Sequence, residues 1–268
     1  MENELKLKKI VKEKYGKIAL EVIKVNNSCC NSGCCTGKNN TIMSENYDGL
    51  NGYNSDADLG LGCGLPTKFA LIKNGDTVID LGSGAGNDCF VARAEAGETG
   101  KIIGIDFTSE MIERARNNLK NLGYTNVEFI QGDIDNMPLE SNIADVIVSN
   151  CVLNLVPNKQ AAFKEIYRVL KPNGHFSISD IVLTGELPEN MKSAAEMYAG
   201  CVSGAIQRNE YLKIIEETGF KNIMIQSEKS RMIPVDAIKD YLTDEEFEKY
   251  KKNPISKIIK SITVYAEK

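Results

Sequence analysis

Val78-Ile79-Asp80-Leu81-Gly82-Ser83-Gly84-Ala85-Gly86 sets a short apolar run against a Gly-x-Gly-x-Gly turn, and the fold class follows from that junction. Glycine carries no side chain to collide with a ligand and tolerates unusual dihedrals, so a turn of this kind after a strand lets the backbone approach a nucleotide closely. Packing alone also produces glycine-rich strand-to-helix turns, so the flanking pattern has to decide.

Downstream, strands are expected at 77–81, 101–106, 127–131, 144–150 and 175–182. Helices are expected between them at 88–95, 109–122 and 159–170, the last ending at Lys171-Pro172-Asn173-Gly174. That βα alternation implies a doubly wound, Rossmann-like α/β sheet with helices on both faces. Residues 184–207, with a helix around 191–198, interrupt it as an inserted cap. A helix at 209–218, a strand near 222–227, an acidic helix near 243–251 and a strand at 261–266 then complete the sheet. Upstream, 5–25 reads as an amphipathic helix whose lysine face is solvated, and 26–66 as a long irregular arm rich in Asn, Ser, Gly and Cys. Three units follow: an N-terminal helix and Cys-rich arm at 1–66, a cofactor-binding core at 67–183, and a cap with a sheet-completing region at 184–268.

At 268 residues, 42% hydrophobic and 26% charged with a net charge of −5, the composition is that of an ordinary globular protein and argues against a nucleic-acid surface. The start lacks an apolar leader, and no later apolar stretch approaches the roughly 18 residues that span a bilayer, so a cytoplasmic protein without a membrane partner is expected. There the eight cysteines are expected as thiols with metal, metalloid or redox roles. The lone His175 excludes a multi-histidine metal site and is read as structural. No coiled-coil repeat advertises a partner subunit, which points to a monomer.

Asp106 ends the second strand about 20 residues past the glycines, where a carboxylate can accept from both ribose hydroxyls, although a helix N-cap would look the same. Gly132-Asp133-Ile134 closes the third strand with an acid positioned for an adenine amino group and an apolar side chain for its ring. Together with the glycine turn, these segments resemble a class I S-adenosylmethionine-dependent methyltransferase over residues 74–183. The resemblance implies a cofactor held by Asp80, Gly82, Ser83, Gly84, Gly86, Asp106, Met111, Asp133, Ile134 and Asn150. In that set Asp80, Gly82 and Asn150 lie near the methionine moiety, and Met111 covers the adenine unless it is simply core.

Three further segments, Leu59-Gly60-Leu61-Gly62-Cys63-Gly64, Ser149-Asn150-Cys151-Val152-Leu153-Asn154-Leu155 and Tyr198-Ala199-Gly200-Cys201-Val202-Ser203-Gly204-Ala205, resemble the cysteine motifs of the arsenite methyltransferase family over nearly the whole chain. The resemblance implies that Cys63, Cys151 and Cys201 bind trivalent arsenic, presented as a thiol conjugate. It also implies that methyl transfer serves arsenic detoxification, and that Cys35 is an additional redox cysteine served by an external thiol reductant such as a thioredoxin or glutathione system. The chemistry suits the residue types: arsenic(III) is soft, prefers thiolates, and in a three-sulfur pyramid keeps a lone pair free to act as nucleophile. Cys151 alone could be a small buried hydrophobe, and Cys89, beside Phe90 and Val91, reads as core. The pairs Cys29-Cys30 and Cys34-Cys35 fit arsenite capture, thiol exchange or, with poor spacing, zinc. Two other functions stay open: methylation of a quinone or other small carbon acceptor, which leaves Cys63 and Cys201 unexplained, and metalloid binding without turnover.

Overall fold

The computed structural model describes residues 2–26, 45–189, 191, 201–202, 204–231, 242–252 and 257–268. Its strands are β1 (Thr77–Leu81), β2 (Lys101–Asp106), β3 (Val127–Gln131), β4 (Ala144–Asn150), β5 (Leu170–Leu183), β6 (Lys221–Ser230) and β7 (Ile259–Glu267). Its helices are α1 (Glu2–Asn26), α2 (Pro66–Phe69), α3 (Asn87–Ala96), α4 (Ser109–Leu122), α5 (Lys159–Val169), α6 (Arg208–Thr218) and α7 (Asp244–Lys252), with one 3₁₀ turn at Leu153–Leu155. None of them is long and apolar enough to cross a membrane.

The seven strands form one sheet in the order β3-β2-β1-β4-β5-β7-β6. The first five run parallel, while β7 lies antiparallel between β5 and β6. The inner parallel strands are covered on both faces, which explains apolar runs such as Ile102-Ile103 of β2 and Val146-Ile147-Val148 of β4, whereas the edge strand β3 carries exposed Glu128 and Gln131. Alternate residues serve opposite cores: Ile79, Leu81, Ile103, Ile105 and Ile147 pack with Phe163 and Ile166 of α5 and Tyr211 of α6. Val78, Ile102, Val146 and Val148 pack with Phe90 and Ala92 of α3 and Ile112 and Ala115 of α4.

Two expectations at the end of α5 needed correction. The helix stops at Val169, and β5 begins at Leu170, earlier than the 175–182 expected. Leu170 pairs with Ala144 and His175 with Val146, so Lys171-Pro172-Asn173-Gly174 forms an irregularity inside one strand rather than a loop before it. Asn173, at φ 65°, supplies the left-handed residue that the kink requires. His175 is structural, its Nε2 lying 2.6 Å from the Ala70 carbonyl and its ring against Tyr265. The chain leaves β5 at Leu183 and is back beside it at Ile206, whose carbonyl accepts the Leu183 N–H at 2.9 Å. Most of the helix expected at 191–198, and the cysteines Cys29, Cys30, Cys34 and Cys35, lie outside the described residues.

Candidate active site

A cleft enclosing about 1080 Å³ of empty space, part of it open to solvent, lies at the C-terminal ends of β1, β2, β3 and β4. Open α/β sheets bind ligands at this edge because neighbouring crossovers there leave in opposite directions. Asp80, Gly82, Ser83, Gly84, Asp106, Met111, Asp133, Ile134 and Asn150 all line it. Gly86 does not: a Cβ there would meet Phe129 Cζ at 2.7 Å, so this glycine permits α3 to pack. Gly82 lies at φ 67° with Val152 so close that a Cβ would sit 2.4 Å from its Cγ2. Gly84, at φ 51°, opens onto free space.

The Asp106 carboxylate braces the turn, accepting the Gly84 N–H at 3.0 Å and the Thr108 N–H at 2.8 Å. Burial raises its pKa, and those two backbone donors pull it partly back. Asp80 is pushed well above the carboxylate range by burial and by the nearby Asp88 charge, and its Oδ2 accepts the Cys89 thiol at 3.3 Å. Burial likewise raises Asp88 to about 6, against donors from Tyr47 at 2.8 Å, Asn150 at 3.2 Å and Thr67 at 3.4 Å. One buried hydroxyl on the cleft wall, Ser83 Oγ, has no hydrogen-bond partner among the described residues. A polar ligand rich in hydroxyls and amines fits this lining, because such a wall is costly to leave unpaired.

Part of the roof comes from α1, through Lys8, Val11 and Tyr15. Its lysines are not all solvated, which corrects that expectation. Lys8 Nζ lies 3.1 Å from Asp133 and 2.8 Å from Asp135, and their carboxylates hold its pKa up although burial works the other way. Arg114 of α4 donates to the Ala19 carbonyl at 3.2 Å and the Asp56 carbonyl at 2.9 Å, fastening helix and arm together.

Cys63, Cys151 and Cys201 are buried together as free thiols in one cluster, and of the three Cys151 lines the cleft. The Cys201 thiol donates to the Cys151 carbonyl at 3.5 Å, and Cys151 interacts with both other thiols. Among the described residues no three ligating side chains are grouped closely enough to hold a metal ion. Burial raises Cys63; donation to Cys201 and Cys63 raises Cys151 well above the usual thiol value. Cys201 is instead lowered to about 7 by the Cys151 thiol, with Asn154, Tyr15 and Lys14 adding to it against the effect of burial. The Tyr15 hydroxyl lies 3.7 Å from Cys201 Sγ, and Asn154 Nδ2 donates to the Cys201 carbonyl at 2.7 Å. Both Cys151 (φ 63°) and Cys201 (φ 70°) adopt left-handed backbone, strain of the kind that collects at functional sites.

Asn150 joins the two ends. Its Oδ1 accepts the Cys63 and Gly64 N–H groups at 3.0 and 3.1 Å, and its Nδ2 donates to the Gly64 carbonyl at 2.9 Å, Tyr47 Oη at 2.6 Å and Asp88. The glycines around Cys63 allow close packing on two strands: a Cβ at Gly62 would meet Asn150 Nδ2 at 2.5 Å, and one at Gly64 would meet Ser179 Oγ of β5 at 2.3 Å. Sequence reasoning missed Lys8, Tyr15, Tyr47, Asp88 and Asn154. Asp88 was within reach, because it lies just beyond the glycine turn; the others gave no local signal.

A family described as a methyltransferase domain matches residues 72–219, from the approach to β1 through α6. The chain belongs to this methyltransferase family. Its fold is the class I methyltransferase fold expected from the glycine turn. Among curated relatives, an arsenite methyltransferase of Halobacterium salinarum is 39% identical over 235 residues, covering 81% of this chain and 58% of that protein. An arsenite methyltransferase of Aquipseudomonas alcaligenes is 34% identical over 193 residues, covering 69% and 55%. This chain therefore spans little more than half the length of these relatives. The crystal structure of an arsenic(III) S-adenosylmethionine methyltransferase from Chlamydomonas reinhardtii is similar with a TM-score of 0.61 and 30% identity, over 76% of this chain and 66% of that one.

Proposed function

We propose that this methyltransferase transfers a methyl group from S-adenosylmethionine to trivalent arsenic held by Cys63, Cys151 and Cys201, in arsenic detoxification. One observation carries the reading: the thiols of positions 63, 151 and 201 share one buried cluster, and Cys151 of that cluster lines the cleft beside the glycine turn. The similar arsenite methyltransferases support it. Bound S-adenosylmethionine supplies a sulfonium methyl, an electrophile for the arsenic lone pair. Asp106 and Asp133 hold the nucleoside, Asp80, Gly82, Ser83, Gly84 and Asn150 line the methionine end, and Met111 and Ile134 flank the ring.

Cys201, with its lowered pKa, supplies a thiolate near neutrality and attacks the incoming arsenic–thiol conjugate. Each exchange forms one As–S bond to the protein and breaks one to the conjugate's thiol; the departing thiolate takes a proton from solvent when Cys201 attacks as thiolate, and the proton of the incoming cysteine at Cys151 and Cys63. Filling the site from Cys201 through Cys151 to Cys63 makes a three-sulfur pyramid whose lone pair faces the cleft. Alignment of two bound reactants accounts for much of the acceleration, and arsenic, which carries no proton, needs no general base. The new As–C bond leaves arsenic pentavalent; two electrons from a pair of thiols, which become a disulfide, restore it. An external thiol, drawn from a cytoplasmic thioredoxin or glutathione system, then reduces that disulfide, with Cys35 as relay. In this scheme the arm of residues 1–66 and the cap insertion of 184–207 serve as covers over the 67–183 core of a monomer, and the rest of 184–268 completes the sheet.

Pure protein incubated with arsenite, S-adenosylmethionine and thiol is expected to release methylated arsenic with one S-adenosylhomocysteine per methyl. Absence of methylated product across thiols and arsenic forms defeats the reading. Cys63→Ser or Cys201→Ser is expected to abolish methylation and leave cofactor affinity unchanged, whereas a carbon-acceptor enzyme would keep its turnover. Arsenite binding without cofactor consumption would indicate sequestration.

A further inference from the structure

Cys63 lies in no helix or strand, on the loop between the arm and α2. Its backbone is nevertheless gripped from three strand ends. Asn150 at the end of β4 binds its N–H, and its carbonyl accepts from Ser261 of β7 and from Arg231, one residue past β6, at 2.6 Å. Arg231 is itself anchored, since its N–H donates to the Ile259 carbonyl at 3.0 Å. The same guanidinium nitrogen that holds the Cys63 carbonyl also binds the Glu45 carboxylate, which takes a second cation from Lys229 at 2.9 Å. Burial works against the Glu45 charge, but the hydrogen bonds from Lys229 and Arg231 keep its pKa below the usual range.

This pair is an expensive way to close a surface. The Arg231 and Glu45 side chains are only 12% and 17% exposed, and Arg231 Nε is buried without a partner among the described residues. Desolvation consumes most of what an ion pair so placed gains, so general stability is a poor account of it. Its geometric consequence is specific. With the N–H and carbonyl of Cys63 both fixed, the direction of its thiol is left to one side-chain torsion with three staggered wells.

We infer that Arg231, with Glu45 as its counter-ion, is a positioning residue that delivers Cys63 as the third sulfur of the arsenic site. This rests on the function proposed above only in naming arsenic; the thiol geometry it asserts does not. Nη2 of the guanidinium serves a carboxylate and a carbonyl at once, whereas an ammonium at 231 keeps the charge on a side chain of different reach and donor direction.

Arg231→Gln, Arg231→Lys and Glu45→Gln would each be measured three ways. Arsenite affinity is read from the ultraviolet sulfur-to-arsenic band. Phenylarsine oxide, which offers arsenic only two exchangeable positions, reports on a two-thiol site. A bifunctional bimane reagent, followed by peptide mapping, reports the rate of bridging Cys63 to Cys151 without arsenic. Arg231→Gln is expected to weaken arsenite roughly tenfold or more, the scale of one lost charge-assisted hydrogen bond. It should leave phenylarsine oxide within about twofold and slow the bimane bridge severalfold; Arg231→Lys should recover part of each loss. Should arsenite and phenylarsine oxide weaken equally, or the bimane rate stay unchanged in a folded variant, the inference is overturned. If Arg231→Gln does not fold, Glu45→Gln and Arg231→Lys carry the same measurements. Wild-type protein that binds no arsenite while the variant still slows bridging would remove the arsenic function and leave the positioning role standing.

Discussion

Replacing Tyr15 by Phe removes one oxygen from the face of α1 and tests whether that helix tunes the thiol end of the cleft. The Tyr15 hydroxyl lies 3.7 Å from Cys201 Sγ and helps to bring that thiol down to about 7 from an ordinary value of 9.0. A hydrogen bond to a charged acceptor contributes roughly 1.5–3 kcal/mol, and at this separation the lower end applies, about one pKa unit. The Cys201 thiol should therefore titrate near 8 in the variant, so the thiolate fraction at pH 7 falls from about a half to about a tenth. Alkylation by a small electrophile, followed across pH 5–10 and resolved at the Cys201 peptide by mass spectrometry, reads this directly. The expected result is a midpoint displaced upward by about one unit, a rate at pH 7 about fivefold lower, and an unchanged alkaline plateau. The stability profile carries the same sign. A thiol depressed in the folded state adds stability that is complete above pH 9 and lost as pH falls through about 7, and Tyr15→Phe narrows that window from its lower edge. Coincident alkylation profiles, or a midpoint that moves down, would show that Tyr15 does not stabilise the thiolate.

Two further outcomes follow from the cofactor end. Gly84→Ala places a methyl group in open cleft space at φ 51°, so cofactor affinity measured by calorimetry should fall at least tenfold while the left-handed strain of about 1–2 kcal/mol lowers Tm by only a few degrees; unchanged affinity would contradict the assignment of this turn. Asp88, raised to about 6 by burial, favours the folded state when protonated, a contribution complete below pH 3.8 and lost as pH rises through about 6; Asp88→Asn should flatten chemical-denaturation stability across that interval, and a persisting slope would place the titration elsewhere.

Much of the architecture was legible because strand and helix periodicities are local. The run 77–81 and the turn Gly82-Ser83-Gly84 announced β1 and the cleft, and Asp106 and Asp133 arrived at the same edge because parallel crossovers bring every strand end there. Gly86 looked like its two companions, yet faces Phe129, a distinction that only the packing of α3 creates. The end of α5 was misplaced because Lys171-Pro172-Asn173-Gly174 reads as a loop, whereas pairing of Leu170 with Ala144 carries the strand across it.

The chain alone determined the α/β class and the strand edge that forms the cleft, since spacing and residue chemistry survive without coordinates, and its cysteine motifs resemble those of a known family. Tertiary structure decided that Cys63, Cys151 and Cys201 are buried in one cluster, with the Cys201 thiol on the Cys151 carbonyl. It also decided that Lys8 and Tyr15 of α1 close the cleft, and that Arg231 and Glu45 hold the loop of Cys63. Contacts between residues so far apart in sequence depend on how helices and strand ends pack in space, and nothing in their immediate neighbours along the chain encodes that distance.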